Sequence, residues 1–531
     1  MLFVRKLEKK FPWIDKAIIL LLILILGTFL RLQYINKSPF PMNDGGFFYV
    51  MIRDLQQNSY HLPQFTTYNF LKIPYAYPPL SLYESAWLNQ YLHIDLLKIF
   101  LYYPLVFNLL SIIVFYFLSK ELVEKPRSAL LATTLYAILA SSYEWLISGG
   151  GLTRSPAHMF YLISLTLFLF YQHSSKIWAF IFSVIAGALM TLHHLEYAWL
   201  LAYSIILFTI IKRRNLKGLI TIALFGVGVT LLTSPYWLTI LRHHGLATFS
   251  SAFSTGEITF FKAIRRLLEL DFTSEPIVSI LNIMAVLGLF VCFAKKRYIL
   301  PIWFTMMIFL SYRSAYRTLL VPVSILAAMA LDDLIIPGLN QIALKIRPDV
   351  TPIASQKQPV IGQIFAAVCI FIPFLMGFVT SLSEHPILAS VNPAELEAME
   401  WVKSNTDPGS SFVVINPSVD WYVDRVGEWF PAIAERHSAT TLQGMEWLPG
   451  KVFARQRWFY SNFKQCIAKG EDCLLQWAEQ TGTRFSHLFI SKSECAWNSD
   501  NCTDFFVQSV EASTTFEKMY ENSGVVIFAR K

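Results

Sequence analysis

Stretches such as 17-AIILLLILILGTFLRL-32 constrain this chain more than anything else in it. Lipid offers the backbone no water to bond, so a run this apolar is stable there only as a helix. Crossing the hydrocarbon takes roughly 20 such residues. The pattern recurs, and spans are predicted near 17–34, 97–119, 129–147, 157–173, 178–193, 196–211, 217–240, 276–294, 298–311, 315–335 and 359–382, eleven in all. With 54% hydrophobic and 15% charged residues and a mean hydropathy of +0.46, the 531-residue chain lies outside the range of soluble domains. Its first apolar run is too long for a cleavable leader, and no small-residue cleavage site follows.

Basic residues set the orientation. Arg5, Lys6, Lys9, Lys10 and Lys16, then 120-KELVEKPR-127, 212-KRRNLK-217, 295-KKR-297 and the group Lys345, Arg347 and Lys357 all fall on one side of an eleven-span chain. That side is read as cytoplasmic. The net charge of +8 is then a topology signal and gives no ground for nucleic-acid binding. The same count places residues 35–96, and everything after about 386, outside. The expected membrane is the plasma (inner) membrane, or the endoplasmic reticulum in a eukaryote.

The first outer loop holds two helical patterns separated by 60-YHLPQFTTYNFLKIPYAYPP-79. In the first, Phe47, Val50, Met51 and Leu55 share a face, with Arg53, Asp54 and Gln57 turned away. The second, 81-SLYESAWLNQYL-92, follows a Pro-Pro pair that cannot sit mid-helix. Both read as helices lying on the membrane surface. A further outer segment, 258-ITFFKAIRRLLELDF-272, reads as a basic amphipathic helix on lipid headgroups.

Two domains are expected: a membrane domain over residues 1–385 and a small extracytoplasmic α/β domain over 386–531. The latter has a helix at 393-PAELEAMEWVKSNT-406 and buried strands at 411-SFVVINP-417, 487-HLFISK-492 and 524-GVVIFAR-530. It also holds Cys466, Cys473, Cys495 and Cys502, which suit two local disulfides in an oxidising compartment; the CxxC spacing of a zinc site is absent.

Asp44, in 40-FPMNDGGFFYVMIRDL-55, stands at the mouth of the first span between Asn43 and two glycines. From position alone it reads as the N-cap of the following surface helix. The rest of the loop adds Tyr75, Tyr77, the rigid 77-YPPL-80 turn and Glu84, a set suited to a polar headgroup and a sugar ring. Arg313 and Arg317 in 311-SYRSAYR-317 are costly at membrane depth unless they meet an anion, and the planar guanidinium suits phosphate; snorkelling to headgroups is the other reading. Arg154 follows three glycines in 149-GGGLTRSPAH-158, either a flexible turn or a close backbone approach to a ligand. His193, His194, His243 and His244 come as adjacent pairs, which rarely converge on one metal; Glu196 and Glu257 are weaker second acids.

A multi-spanning chain with a cytoplasmic N-terminus, an acid in the first long outer loop and YPPL before the next span resembles the GT-C superfamily of glycosyltransferases. Dolichyl-phosphate-glucose-dependent transferases carry a similar YPPL, and protein O-mannosyltransferases and aminoarabinose transferases share the loop-one acid. The resemblance covers roughly residues 1–385 and agrees with a trailing soluble domain. It implies transfer from a polyprenyl-phosphate-linked sugar to a glycan, lipid or protein acceptor on the outer face. Asp44 would be the general base, Arg313, Arg317 and Arg154 would hold the donor phosphate, and Tyr75, Tyr77 and Glu84 would contact substrate. No cofactor is implied and the chemistry is expected to be metal-independent, with a divalent cation as the alternative. The chain reads Asp44-Gly45 where the mannosyltransferase branch has Asp-Glu, and it lacks the oligosaccharyltransferase WWDYG, which points to transfer of a single sugar. Two other classes compete: a flippase for a lipid-linked saccharide, which asks for charges midway through spans and repeated halves, and a non-catalytic membrane assembly protein in which Asp44 is only a cap.

Overall fold

The computed structural model describes residues 12–255, 260–273, 280–310, 315–346, 360–382, 388–418, 420–492 and 503–531. Among these, five helices are long and apolar enough to cross a membrane: Asp15–Ile35, Leu96–Leu122, Leu195–Lys212, Tyr316–Ile346 and Ile361–Leu382. A sixth results if Leu216–Leu232 and Ser234–Ser254, bent by 64° at the break between them, make one span. Shorter apolar helices, Ile177–His193, Ile280–Ala294 and Ile299–Leu310, fall on three more of the eleven predicted positions.

Polar side chains decide where several helices stop. The segment expected to span 129–147 is helical only over Pro126–Ile138. Arg31, fully buried, reaches across from the first helix: Nη1 donates to Ala137 O at 2.7 Å, Nη2 to Ser142 Oγ at 2.8 Å and Nε to Asn108 Oδ1 at 2.5 Å. A cation satisfying the last carbonyls ends a helix as a cap does. The chain then turns through Ala140–Ser142 and reaches Ser148, Gly149 and Gly150 before the next helix, Gly151–Ser174.

The segment after the first long helix forms helices Gly46–Gln57 and Leu80–Leu92, with a short antiparallel ribbon of β1 (Phe65–Thr66) and β2 (Ile73–Pro74) between them. Phe47, Val50, Met51 and Leu55 are buried as their spacing predicts. Asp54 departs from the pattern. Rather than facing solvent it is buried and accepts from Thr66 Oγ1, Thr67 N and Thr67 Oγ1 at 2.6–2.9 Å, tying the ribbon to its helix.

The C-terminal part holds a five-stranded mixed sheet of β3 (Ser411–Ile415), β4 (His437–Ser438), β5 (His487–Ser491), β6 (Phe516–Glu521) and β7 (Val525–Arg530), in the order β4-β3-β5-β7-β6. The predicted helix appears as Pro393–Asn405, closed by an Asn392–Glu395 capping box. Cys466 and Cys473 are joined in a disulfide; Cys495 and Cys502 lie outside the described residues. One apolar cluster runs through both parts of the chain, joining Phe40, Phe47, Met51 and Phe100 to Val414, Trp429, Phe430 and Ile527. Residues 40–86 therefore pack against the sheet domain as well as against the long apolar helices.

Candidate active site

Asp44 does not cap the helix that follows it. The N-cap there is Gly45, at φ +133°, with no side-chain capping bond. The carboxylate turns instead to the start of Gly151–Ser174. Oδ1 accepts from Gly150 N at 2.8 Å and from Ser148 Oγ at 3.2 Å, and Oδ2 accepts from Arg154 Nη2 at 2.5 Å. An acid at a helix N-terminus is also favoured by the helix dipole.

Two of the three glycines, Gly149 and Gly150, are required for this approach. A Cβ on Gly149 would fall 1.6 Å from the Asp44 carbonyl oxygen, and one on Gly150 would fall 2.2 Å from Arg154 Nη2 and 2.3 Å from Asp44 Oδ2. Gly149 N also donates to Met42 O at 2.8 Å, joining the two loops by their backbones. The close approach that Gly149 and Gly150 permit is therefore to the Asp44 loop of the chain itself.

A carboxylate offers about four acceptor positions. Gly150 and Ser148 occupy those of Oδ1 and Arg154 takes one on Oδ2, which leaves a lone pair on Oδ2. The Asp44 side chain keeps 19% of its surface exposed. It is ion-paired and still open.

Arg154 stacks its guanidinium 5.7 Å above Trp145 and bonds Ser148 Oγ at 3.2 Å, while its Nε is buried without a hydrogen-bond partner among the described residues. Arg317, 9% exposed, approaches Glu196 Oε2 at 3.7 Å, too far for a hydrogen bond, and its Nε is likewise unpartnered. Arg313 and Glu257 lie outside the described residues.

Tyr77 joins Asp44 and Arg154. Its hydroxyl bonds Thr153 Oγ1 at 3.0 Å, and its ring packs against Phe48, His194 and Trp447. Desolvation pushes its phenol up to about 12, so it stays neutral. Tyr75 is not brought there: its ring is fully buried and its hydroxyl donates to Met51 O at 2.8 Å. Glu84 is also elsewhere, accepting from Tyr103 OH in an aromatic cleft of about 480 Å³ lined by Tyr60, Tyr83, Trp87 and Phe107. Among the described residues no three His, Cys, Asp or Glu side chains gather as a metal site.

No family model matches the chain, and no curated protein matches it in sequence. Solved structures do. The archaeal oligosaccharyltransferase AglB from Archaeoglobus fulgidus, in complex with an inhibitory peptide and a dolichol-phosphate, aligns with TM-score 0.59 and 15% identity over 98% of this chain and 75% of that one. ArnT from Cupriavidus metallidurans in the apo state aligns with TM-score 0.57 and 14% identity over 98% of each chain, and its undecaprenyl phosphate complex with TM-score 0.54. The arabinofuranosyltransferase AftD from Mycobacteria gives TM-score 0.52 and 11% identity over 96% of this chain and 40% of that one. The chain has the GT-C fold.

One further carboxyl lies beside Asp44, from the aromatic-dense segment 427-GEWFPAIAERHSATTLQGMEW-447, whose composition suits a domain core. Its Glu428 accepts from Gly45 N through Oε1 at 2.7 Å. Burial first, then the negative charge of Asp44, holds its carboxyl well above the usual carboxylate range. The available signal was a lone glutamate at a helix start flanked by Gly427 and Trp429.

Proposed function

We propose that the protein is a glycosyltransferase that moves a single sugar from a polyprenyl-phosphate donor to an acceptor on the extracytoplasmic face. The N-terminus would be cytoplasmic and the sheet domain outside. The observation that carries this reading is the Asp44 carboxylate, held by Gly150, Ser148 and Arg154 with one Oδ2 lone pair left over. In the proposed step the acceptor hydroxyl oxygen bonds to the anomeric carbon as its proton passes to Asp44 Oδ2. The bond from that carbon to the phosphate oxygen breaks, and polyprenyl phosphate leaves with the electron pair. Arg317 and Arg154, each with a buried Nε unpartnered among the described residues, would stabilise the charge that develops on the phosphate. Tyr77, neutral and aromatic, would pack on the sugar. Polyprenyl phosphates are bound in the AglB and ArnT structures, which supports this donor class.

The test is donor consumption by Asp44→Asn. This variant keeps an acceptor on Oδ1 and loses the base, so transfer should fall by at least 100-fold while binding of polyprenyl phosphate stays within a few-fold. Undiminished transfer would remove Asp44 from the reaction. Because the arginines carry the phosphate charge in this reading, EDTA should leave the rate unchanged, and a loss restored by one divalent ion would bring in a metal.

A further inference from the structure

The turn that carries Asp44 is held from two sides. On one side are Ser148, Gly150 and Arg154 of the membrane domain, which bind the carboxylate. On the other are two consecutive residues of the helix Arg425–Ile433 in the sheet domain. Glu428 Oε1 accepts from Gly45 N at 2.7 Å, and Trp429 Nε1 donates to Asn43 O at 2.9 Å. The backbone groups immediately before and after Asp44 are thus fixed by residues more than 380 positions away in sequence. Packing closes the arrangement: a Cβ on Gly46 would fall 2.5 Å from Glu428 O, which itself accepts from Tyr68 OH at 2.7 Å.

We infer that Glu428 is a positioning residue for Asp44, fixing the turn that aims the base and making that aim depend on the sheet domain. The inference rests on the proposed role of Asp44. Gly45 sits at φ +133°, a conformation open to glycine, and its amide is aimed at Glu428 Oε1, so the Glu428 bond holds the turn there. Without an acceptor the buried Gly45 amide would be stranded, and the turn would relax toward other conformations.

The chemistry of the acceptor matters as well as its place. Asp44, Arg154 and Tyr68 are the titratable groups facing Glu428. While Glu428 is protonated, Arg154 has one carboxylate to serve. Once it ionises, a second buried negative charge lies beside Asp44 and competes for the same guanidinium. Raising the pH through the elevated Glu428 pKa should therefore loosen the Asp44–Arg154 pair. The sign for stability is the same: the unfolded glutamate ionises near its ordinary pKa while the folded one stays protonated, so folding stability falls as pH rises between the two values.

The experiment compares full-length wild type, Glu428→Ala and Glu428→Gln for kcat, donor KM and thermal midpoint across pH, with Asp44→Asn alongside. Glu428→Ala should lose about 100-fold in kcat with donor KM little changed, as a displaced catalytic group does. Glu428→Gln keeps a carbonyl acceptor for Gly45 and should restore most of that loss. It should also lack the alkaline fall in kcat and in thermal midpoint that wild type shows. Wild-type kcat in Glu428→Ala, or identical pH profiles for wild type and Glu428→Gln, would overturn the inference. Should Asp44→Asn retain transfer, the reading of Asp44 as base fails by itself. The thermal midpoints then decide alone whether a neutral Glu428 holds this turn.

Discussion

At the scale of single residues, the site depends on atoms that are missing. Gly149 and Gly150 let one backbone come up against the Asp44 loop with no side chain between, and the tightest of these contacts is backbone to backbone. The Asp44–Arg154 pair is more sensitive. A methyl group on Gly150 would compete for the space that Oδ2 and Nη2 share, and both can swing away. Gly150→Ala should therefore cost only about 1–3 kcal/mol of stability, the usual toll of overpacking. Transfer should fall by about 100-fold, because the proposed base is displaced. A melt in detergent and a donor-consumption assay on one preparation check both, and an alanine variant with wild-type turnover would mean that the pair is not needed in its observed geometry. Gly149→Ala meets backbone, which cannot swing away, and should lose both stability and transfer.

At the scale of elements, hydropathy placed helices well and their ends poorly, for a physical reason. Apolar runs report which residues tolerate lipid, whereas termini depend on partners elsewhere in the chain. The stretch 129–147 is apolar enough to read as a span, yet it stops at Ile138 because Arg31 takes the Ala137 carbonyl. Asp54 was assigned to solvent by its helical phase and is buried by two threonines of the next loop. The strand Phe516–Glu521 escaped notice because it is a largely exposed edge strand with a polar sequence, FEKMYE. Arg31 yields a prediction at this scale. Arg31→Leu strands the Asn108, Ala137 and Ser142 acceptors in a buried site and should cost about 3–5 kcal/mol. Arg31 does not touch Asp44, but it shapes the turn that leads to Ser148 and Gly150, so transfer should fall as well. A stable variant with full activity would show that the turn forms without its cap.

At the scale of the whole molecule, the part of the site legible in the sequence is the part that topology brings together. Asp44, Arg154 and Arg317 fall at or near ends of apolar segments and Tyr77 in the loop after the first, so the orientation expected from the basic residues collects them on one face. Glu428 and Trp429 reach the same place through the packing of a separate domain, which no periodicity encodes. Tyr75 and Glu84 share the loop with Asp44, yet the fold sends one to the core and the other to an aromatic cleft. The two predicted domains do not have separate interiors where they meet: Phe40, Phe47, Met51 and Phe100 share one cluster with Val414, Trp429 and Phe430. Removing the sheet domain would bare these side chains, each losing about 1.5–3 kcal/mol of burial, and would release both backbone clamps on the Asp44 turn. A chain ended at residue 385 should thus be inactive and prone to aggregate. The milder Trp429→Ala, in the intact chain, should cost about 3–5 kcal/mol. Size-exclusion profiles and donor consumption read both variants. If the 385-residue chain stayed monodisperse and turned over donor at the wild-type rate, the sheet domain would be an addition to a self-sufficient catalyst. The present contacts make it one wall of the site.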